Sequence, residues 1–218
     1  MSCQIVVLLS GRGSNLKALI NAIDKGFIPG NICAVISSNT QAKGLQLAKD
    51  ARIPCYALLP DNYDSRDKYD QALSEIIDQY APDLIVLAGF MRILGKKFVL
   101  RYFGQMLNIH PSRLPKHRGL HTHQKVLQAG DPKHGASVHF VTPELDGGPV
   151  ILQSSLPVLP KHTPKTLAAD ILEQEHILYP RVIRWFCEHR LRLGNAQVFF
   201  DDVPIATPMQ LNELSRDN

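Results

Sequence analysis

The 218-residue sequence has no long hydrophobic run. Its longest early one, Ile5 to Leu9, is five residues, against the ~20 that cross a bilayer. Ser10-Gly11-Arg12-Gly13 then follows too soon for the apolar core of a signal peptide. Neither a membrane partner nor secretion is therefore expected. The four cysteines (Cys3, Cys33, Cys55 and Cys187) contain no CxxC pair, which excludes a zinc ribbon or a thioredoxin motif. They read as free thiols in a reducing cytoplasm. Charge of one sign is also scarce. With 24 Lys plus Arg against 20 Asp plus Glu, the net charge is +4, too little for a nucleic-acid stripe but suited to small anionic ligands. No repeat, low-complexity stretch or linker is visible, so one domain over 1–218 is expected. What is there is an ordinary globular balance, 44% hydrophobic and 20% charged. The chain is long enough to bury a core without staples.

Along the chain, apolar runs alternate with helical periodicity. Ile5–Leu9 reads as a strand buried on both faces. After the turn Ser10-Gly11-Arg12-Gly13-Ser14-Asn15, Leu16, Leu19, Ile20 and Ile23 fall on one helical face, and Gly26 supplies the stop. Ile32–Ser38 reads as a strand, Gln41–Arg52 as a helix and Cys55–Leu59 as a short strand. Asp64 or Ser65 caps a helix with the stripe Tyr69, Leu73, Ile76, Ile77 and Tyr80, and Pro82 breaks it before the strand Leu84–Gly89. Met106–His110 is a strand ending at Pro111, and Thr122–Ala129 a short helix. Ala136–Thr142 and Val150–Val158 are strands. Thr163-Pro164 starts a long helix that runs to about residue 190, with a kink at Pro180. Gln197–Ile205 forms an edge hairpin, and the last ten residues fray. The alternation predicts an α/β fold, Rossmann-like, with a mostly parallel twisted sheet flanked by helices.

Five constellations can carry chemistry. The first is strand, Gly11-Arg12-Gly13-Ser14-Asn15, helix. Unpaired N–H groups and a partial positive charge at a helix start attract phosphate. Position 16 is Leu where a dinucleotide fingerprint needs glycine, and a Walker motif is absent, so a phosphate monoester is favoured over NAD or ATP. A tight turn with capping residues is the plainer reading. The second is Asn108-Ile109-His110-Pro111. Alternation on a strand aims Asn108 and His110 at one cavity, where an amide and an imidazole can stabilise a developing oxyanion. The third, Leu145-Asp146-Gly147-Gly148-Pro149, is an ordinary turn unless it folds back to His110, where its carboxylate would favour the imidazolium. The fourth is the histidine-rich stretch 110–139. His121 and His123 on a strand, with His110 or His139, would suit a metal, but a helix starting at Thr122 splays the pair, and no metal is expected. The fifth is the apolar loop Gly89–Leu94, able to clamp a flat heterocycle or simply to pack on the next helix.

Taken together, Leu9–Asn15, Leu87–Leu94, Leu107–Ser112, Gly119–His123 and Gly135–Leu152 make the chain, from about residue 4 to about 190, resemble the phosphoribosylglycinamide formyltransferases. The resemblance implies a formyltransferase fold over 1–218, with a phosphate-binding half (1–100), a catalytic and folate-binding half (101–190) and a C-terminal extension (191–218). It implies formyl transfer from 10-formyltetrahydrofolate, as co-substrate, to the amine of glycinamide ribonucleotide, by a monomer or homodimer. Asn108, His110 and Asp146 would be catalytic, and Gly13, Ser14, Asn15 and Glu175 would hold the ribonucleotide. Arg66, Met91, Arg92, Ile93, Leu94, Asn108, Thr142, Pro143, Glu144, Leu145 and Asp146 would hold the folate. The sequence departs from the resemblance at Arg12, at Arg113 and at His117-Arg118. Methionyl-tRNA formyltransferase and formyltetrahydrofolate deformylase share the core but usually add a C-terminal or an N-terminal domain, for which this chain leaves no room. A non-catalytic nucleotide-phosphate-binding module is the remaining alternative.

Overall fold

The computed structural model describes residues 2–195 and 197–214. They form two compact units, Met1–Asn108 and Ile109–Asn218.

The first unit runs β1 (Cys3–Leu9), α1 (Ser14–Asp24), β2 (Gly30–Ser37), α2 (Lys43–Asp50), β3 (Cys55–Ala57), α3 (Arg66–Asp78), β4 (Leu84–Leu87), α4 (Lys96–Arg101) and β5 (Met106–His110), whose last two residues belong to the second unit. Its strands lie in the order β5-β4-β1-β2-β3, every pair parallel. The cause is in the side chains. Ile5 to Leu9 and Leu84 to Val86 are at most 1% exposed, as strands covered on both faces by helices must be. Crossover helices then force the strands to run in one direction, so all their C-terminal ends share one edge. Ser65 caps α3 by accepting the Lys68 N–H at 3.3 Å.

The second unit runs α5 (Thr122–Ala129), β6 (Lys133–His134), β7 (Ser137–Phe140), β8 (Val150–Gln153), β9 (Leu156–Pro157), α6 (Pro164–Cys187), β10 (Leu191–Gly194), β11 (Gln197–Phe200), β12 (Val203–Pro204) and β13 (Met209–Gln210). β7 and β8 pair antiparallel, and β13 adds to β8 in parallel. α6 packs on both β7 and β8. Its start is a capping box, Thr163 with Thr166, and Pro164 takes the first turn. The helix continues through Pro180. The α/β expectation holds, with a mostly parallel sheet and flanking helices.

The hairpin over Gln197–Ile205 forms as expected, β11 pairing antiparallel with the edge strand β12, and β10 adds to its other side. Three local expectations need correction. The strand read as Val150–Val158 is two strands, because Gly135 packs its backbone onto Ser154 and β9 leaves to pair with β6. The chain end does not fray at 209, since Met209 and Gln210 pair with Leu152 and Gln153; residues 215–218 lie outside the described residues. The strand read to Leu59 stops at Ala57, as Pro60 opens a 3-10 turn, Pro60–Asn62. α4 was not foreseen from its short stripe, although Gly95 before Lys96 marks its start.

Candidate active site

In the first unit the turn after β1 is tied to the two neighbouring strand ends by one side chain. The Ser10 hydroxyl lies 2.6 Å from that of Ser38, beyond β2, and accepts the Met91 N–H, beyond β4, at 2.8 Å. The Ser10 N–H donates to the Gly89 carbonyl at 3.1 Å. Gly13 then opens α1 with φ of 78° and no capping side chain. A Cβ there would lie 2.6 Å from the Gly44 Cα, so glycine is required both by the left-handed turn and by the approach of α2. No acidic residue occupies the first turn of α1, so nothing competes with an incoming anion for the helix start. Gly13, Ser14 and Asn15 thus form the cap and first turn of α1.

Beside the loop after β4 lies a cavity of about 240 Å³, lined by Tyr63, Arg66, Tyr69, Arg92 and Ile93 among others. Its two guanidinium groups make it receptive to carboxylates. Met91 and Ile93 are 66% and 60% exposed, an apolar tip held out to solvent, while Leu94 is half-buried. One group missed in the sequence supports this loop. The buried Asp70 carboxylate accepts the Gly95 N–H at 2.7 Å, and burial pushes its carboxyl above the usual carboxylate range, partly offset by that N–H. The Tyr69 phenol is pushed up to about 12, first by burial. Neither periodicity nor spacing singles out Asp70; only its place on the buried face of α3 does.

The second unit brings together two groups 36 positions apart in the chain. β5 carries Asn108 and His110 two residues apart, hence on one face. His110 is 6% exposed. Its Nδ1 lies 3.5 Å from Asp146 Oδ2, and its Nε2 lies 3.0 Å from the His117 carbonyl. Asp146 reaches it from a tight turn in which the Gly147 N–H bonds the Glu144 carbonyl at 3.1 Å and Asp146 itself has φ of 48°. A Cβ on Gly148 would strike the Phe140 carbonyl at 1.9 Å, which explains the second glycine of the Asp-Gly-Gly run. The Gly119 N–H donates to Asp146 Oδ2 at 2.9 Å. His139 also faces this carboxylate, with Nε2 3.9 Å from Oδ1. Its Nδ1–H donates to the Phe140 carbonyl at 2.9 Å, and burial pushes it down to about 4. At neutral pH that contact is not an ion pair.

The second unit also carries other residues expected of the site. Glu144 forms an ion pair with Arg118, Leu145 is exposed, and Thr142 and Pro143 precede them on the same loop. Glu175 is buried on α6. His121, with φ of 60°, precedes α5, whereas His123 on α5 places Nδ1 3.0 Å from Nε2 of His134. Burial lowers both, His134 to about 4, and His123 adds to the lowering of His134 while His110 adds to that of His123. Among the described residues, no group of three or more His, Cys, Asp or Glu could hold a metal ion. No helix among them is long and apolar enough to cross a membrane.

This combination of sheet, turn and buried imidazole–carboxylate pair falls within one class of protein, and the chain belongs to it: the formyl transferase family, whose model matches residues 3–183. Within that class the chain stands with the phosphoribosylglycinamide formyltransferases, as the motifs suggest. It is 51% identical to the one from Escherichia coli (strain K12) over 197 residues, covering 90% of this chain and 93% of that protein. The Haemophilus influenzae protein of that name is 44% identical, over 96% of this chain and 99% of its own. The crystallised phosphoribosylglycinamide formyltransferase from Coxiella burnetii superposes with a TM-score of 0.93 at 48% identity, over 96% of this chain and 99% of that one.

Proposed function

We propose that this chain transfers the formyl group of 10-formyltetrahydrofolate to the primary amine of 5'-phosphoribosylglycinamide, giving formylglycinamide ribonucleotide and tetrahydrofolate in purine biosynthesis. The observation that carries the reading is the His110–Asp146 pair, 3.5 Å apart, on the strand that also bears Asn108. The membership of the chain among phosphoribosylglycinamide formyltransferases supports it.

Each residue has a defined task. Gly13, Ser14 and Asn15 cradle the ribonucleotide phosphate at the start of α1, and Glu175 holds the ribose hydroxyls. Met91 to Leu94 and the 142–146 loop embrace the folate, while the Arg66 and Arg92 cavity takes its carboxylates. The amine nitrogen first bonds to the formyl carbon, and the bond from that carbon to the folate nitrogen then breaks. Between those events negative charge gathers on the formyl oxygen. The Asn108 amide and the protonated His110 stabilise it, each preorganised donor contributing about 3 kcal/mol at best. Because Nε2 of His110 is engaged by a carbonyl, the N–H available to that charge is at Nδ1. Asp146, 3.5 Å from Nδ1, orients His110 and accepts the proton lost by the amine, directly or through a water, before it passes to the folate nitrogen. The reaction calls for no metal, no covalent enzyme intermediate, no nucleic acid and no membrane, and suits a monomer or homodimer in the cytoplasm.

The test follows folate product by absorbance with three acceptors: glycinamide ribonucleotide, initiator methionyl-tRNA and water alone. Turnover with the ribonucleotide, abolished in His110→Ala, is expected. Preference for the tRNA or for water would overturn the reading. Equal ribonucleotide binding by both proteins, with no transfer by either, would identify a binding module instead.

A further inference from the structure

One short segment holds both members of the acid–base pair. The carbonyl of His117 accepts from His110 Nε2 at 3.0 Å, and two residues later the Gly119 N–H donates to Asp146 Oδ2 at 2.9 Å. A carbonyl oxygen can only accept, so Nε2 of His110 carries a hydrogen in every protonation state. Neutral His110 is thereby confined to the tautomer with its lone pair at Nδ1. Its proton must enter and leave on the side that faces Asp146.

The segment does not rest in this conformation by backbone preference. His117 has φ of 54° and Gly119 of 75°, and a left-handed non-glycine residue needs outside support. Side chains supply it. His117 Nε2 lies 2.6 Å from Asp131 Oδ2, and Lys116 Nζ lies 3.0 Å from Asp131 Oδ1. Both carboxylate oxygens are thus occupied, and the bonds from His117 and then Lys116 hold the Asp131 carboxyl well below the usual range. Asp131 is itself fixed, since its N–H closes the end of α5 on the Val126 carbonyl at 3.2 Å. The other charged or titratable groups around this cluster are Arg113, Lys133 and His134, which line a cavity of about 110 Å³ with it, and His123 on α5 against His134. Burial keeps His134 neutral at neutral pH, so His134 brings no charge against the bond between His117 and Asp131.

We infer that His117 is a positioning residue for formyl transfer: its bond to Asp131 holds its own carbonyl on His110 and so fixes the tautomer and aim of that imidazole. His117 is one of the positions where the sequence departs from the resemblance, and no catalytic or binding role falls to it above. The inference rests on the reading of His110 and Asp146 as the acid–base pair.

The experiment compares wild type, His117→Ala, Asp131→Ala, the double variant and His117→Gln by steady-state formyl transfer and by ¹⁵N NMR of the His110 ring. Far-UV circular dichroism checks the fold. In the two single alanine variants kcat is expected to fall about 10- to 100-fold, as for reacting groups held slightly out of place, with KM for both substrates within about twofold. The His110 ring, a single Nε2–H tautomer in wild type, becomes a mixture. The double variant is expected to be no worse than either single one, because both remove the same bond. His117→Gln, which restores a donor to Asp131, recovers part of kcat. If His117→Ala does not fold, Asp131→Ala decides. Wild-type kcat in a folded Asp131→Ala protein, or a His110 ring that stays wholly Nε2–H in it, overturns the inference. Full activity in His110→Ala would instead overturn the underlying reading, so the two failures are distinguishable.

Discussion

The two units of the chain bury polarity in opposite ways. Among the described residues, the first encloses only Asn15, Ser37, Ser38 and Asp70, all at strand ends or helix faces beside loops. The second encloses His110, Ser112, Thr122, His134, Ser137, His139, Gln153, Ser154 and Glu175 within and around its strands. Many of these answer one another. The Gln153 amide donates to the Leu114 carbonyl at 2.7 Å and lies 2.9 Å from the Ser137 hydroxyl, which itself bonds the Ser112 carbonyl at 2.6 Å. An apolar sheet stabilises by area and tolerates imprecision in detail. A buried polar network has to be satisfied bond by bond, but it can hold an imidazole in one orientation. The contrast is between a platform that presents loops and a unit that aims side chains.

That contrast can be broken most directly at its reactive end. Asp146→Asn is expected to lower kcat/KM about 10²- to 10⁴-fold while circular dichroism and the thermal midpoint change little. A collapse of the fold with retained specific activity would mean that the carboxylate serves the network rather than the chemistry. In the first unit the corresponding probe is Gly13→Ala. It should raise KM for the ribonucleotide and lower stability by about 1–3 kcal/mol in urea titration, the cost of a strained backbone, since the added Cβ meets the Gly44 Cα at 2.6 Å. An unperturbed KM would remove the turn from the binding argument.

Acid should sharpen the difference between the units. His134 and His139 are pushed from 6.5 down to about 4, and His123 and His176 are lowered too, all by burial first and all in the second unit. Between pH 6.5 and about 4 the unfolded chain binds more protons than the folded one, so stability rises with pH across that window and is lost as pH falls through it. Thermal midpoints at pH 7.5, 6 and 5 should decline in that order, and a flat series would contradict the burial. The smallest effect belongs to Thr163→Ala. Removing the cap of α6 should cost about 1 kcal/mol and lower the midpoint by about 2–4 °C.

How much of this was legible in the sequence follows the same divide. β1, β4 and the stripe Tyr69, Leu73, Ile77 could be read because buried strands and amphipathic helices leave periodic traces. Thr163-Pro164 announced α6 by local chemistry alone, and the Asp-Gly-Gly run announced a tight turn. Asn108 and His110 could be placed on one face by alternation. That Asp146 reaches His110 could not be read, because only tertiary folding relates residues 36 apart. Ser10 and Asp70 left no trace because each works by accepting an N–H from a loop distant in the sequence. The break at Ser154 was invisible because it depends on Gly135 arriving from the link between β6 and β7.

The pairing of Met209 and Gln210 with β8 has a practical consequence. Those two residues shield the outer rim of β8, where Leu152 and Gln153 would otherwise offer bare amides and carbonyls to any passing chain. Trimming the protein before Met209 removes that guard, and the shortened product should associate with itself as its concentration rises. On this expectation Met209 and Gln210 work as a bumper for β8.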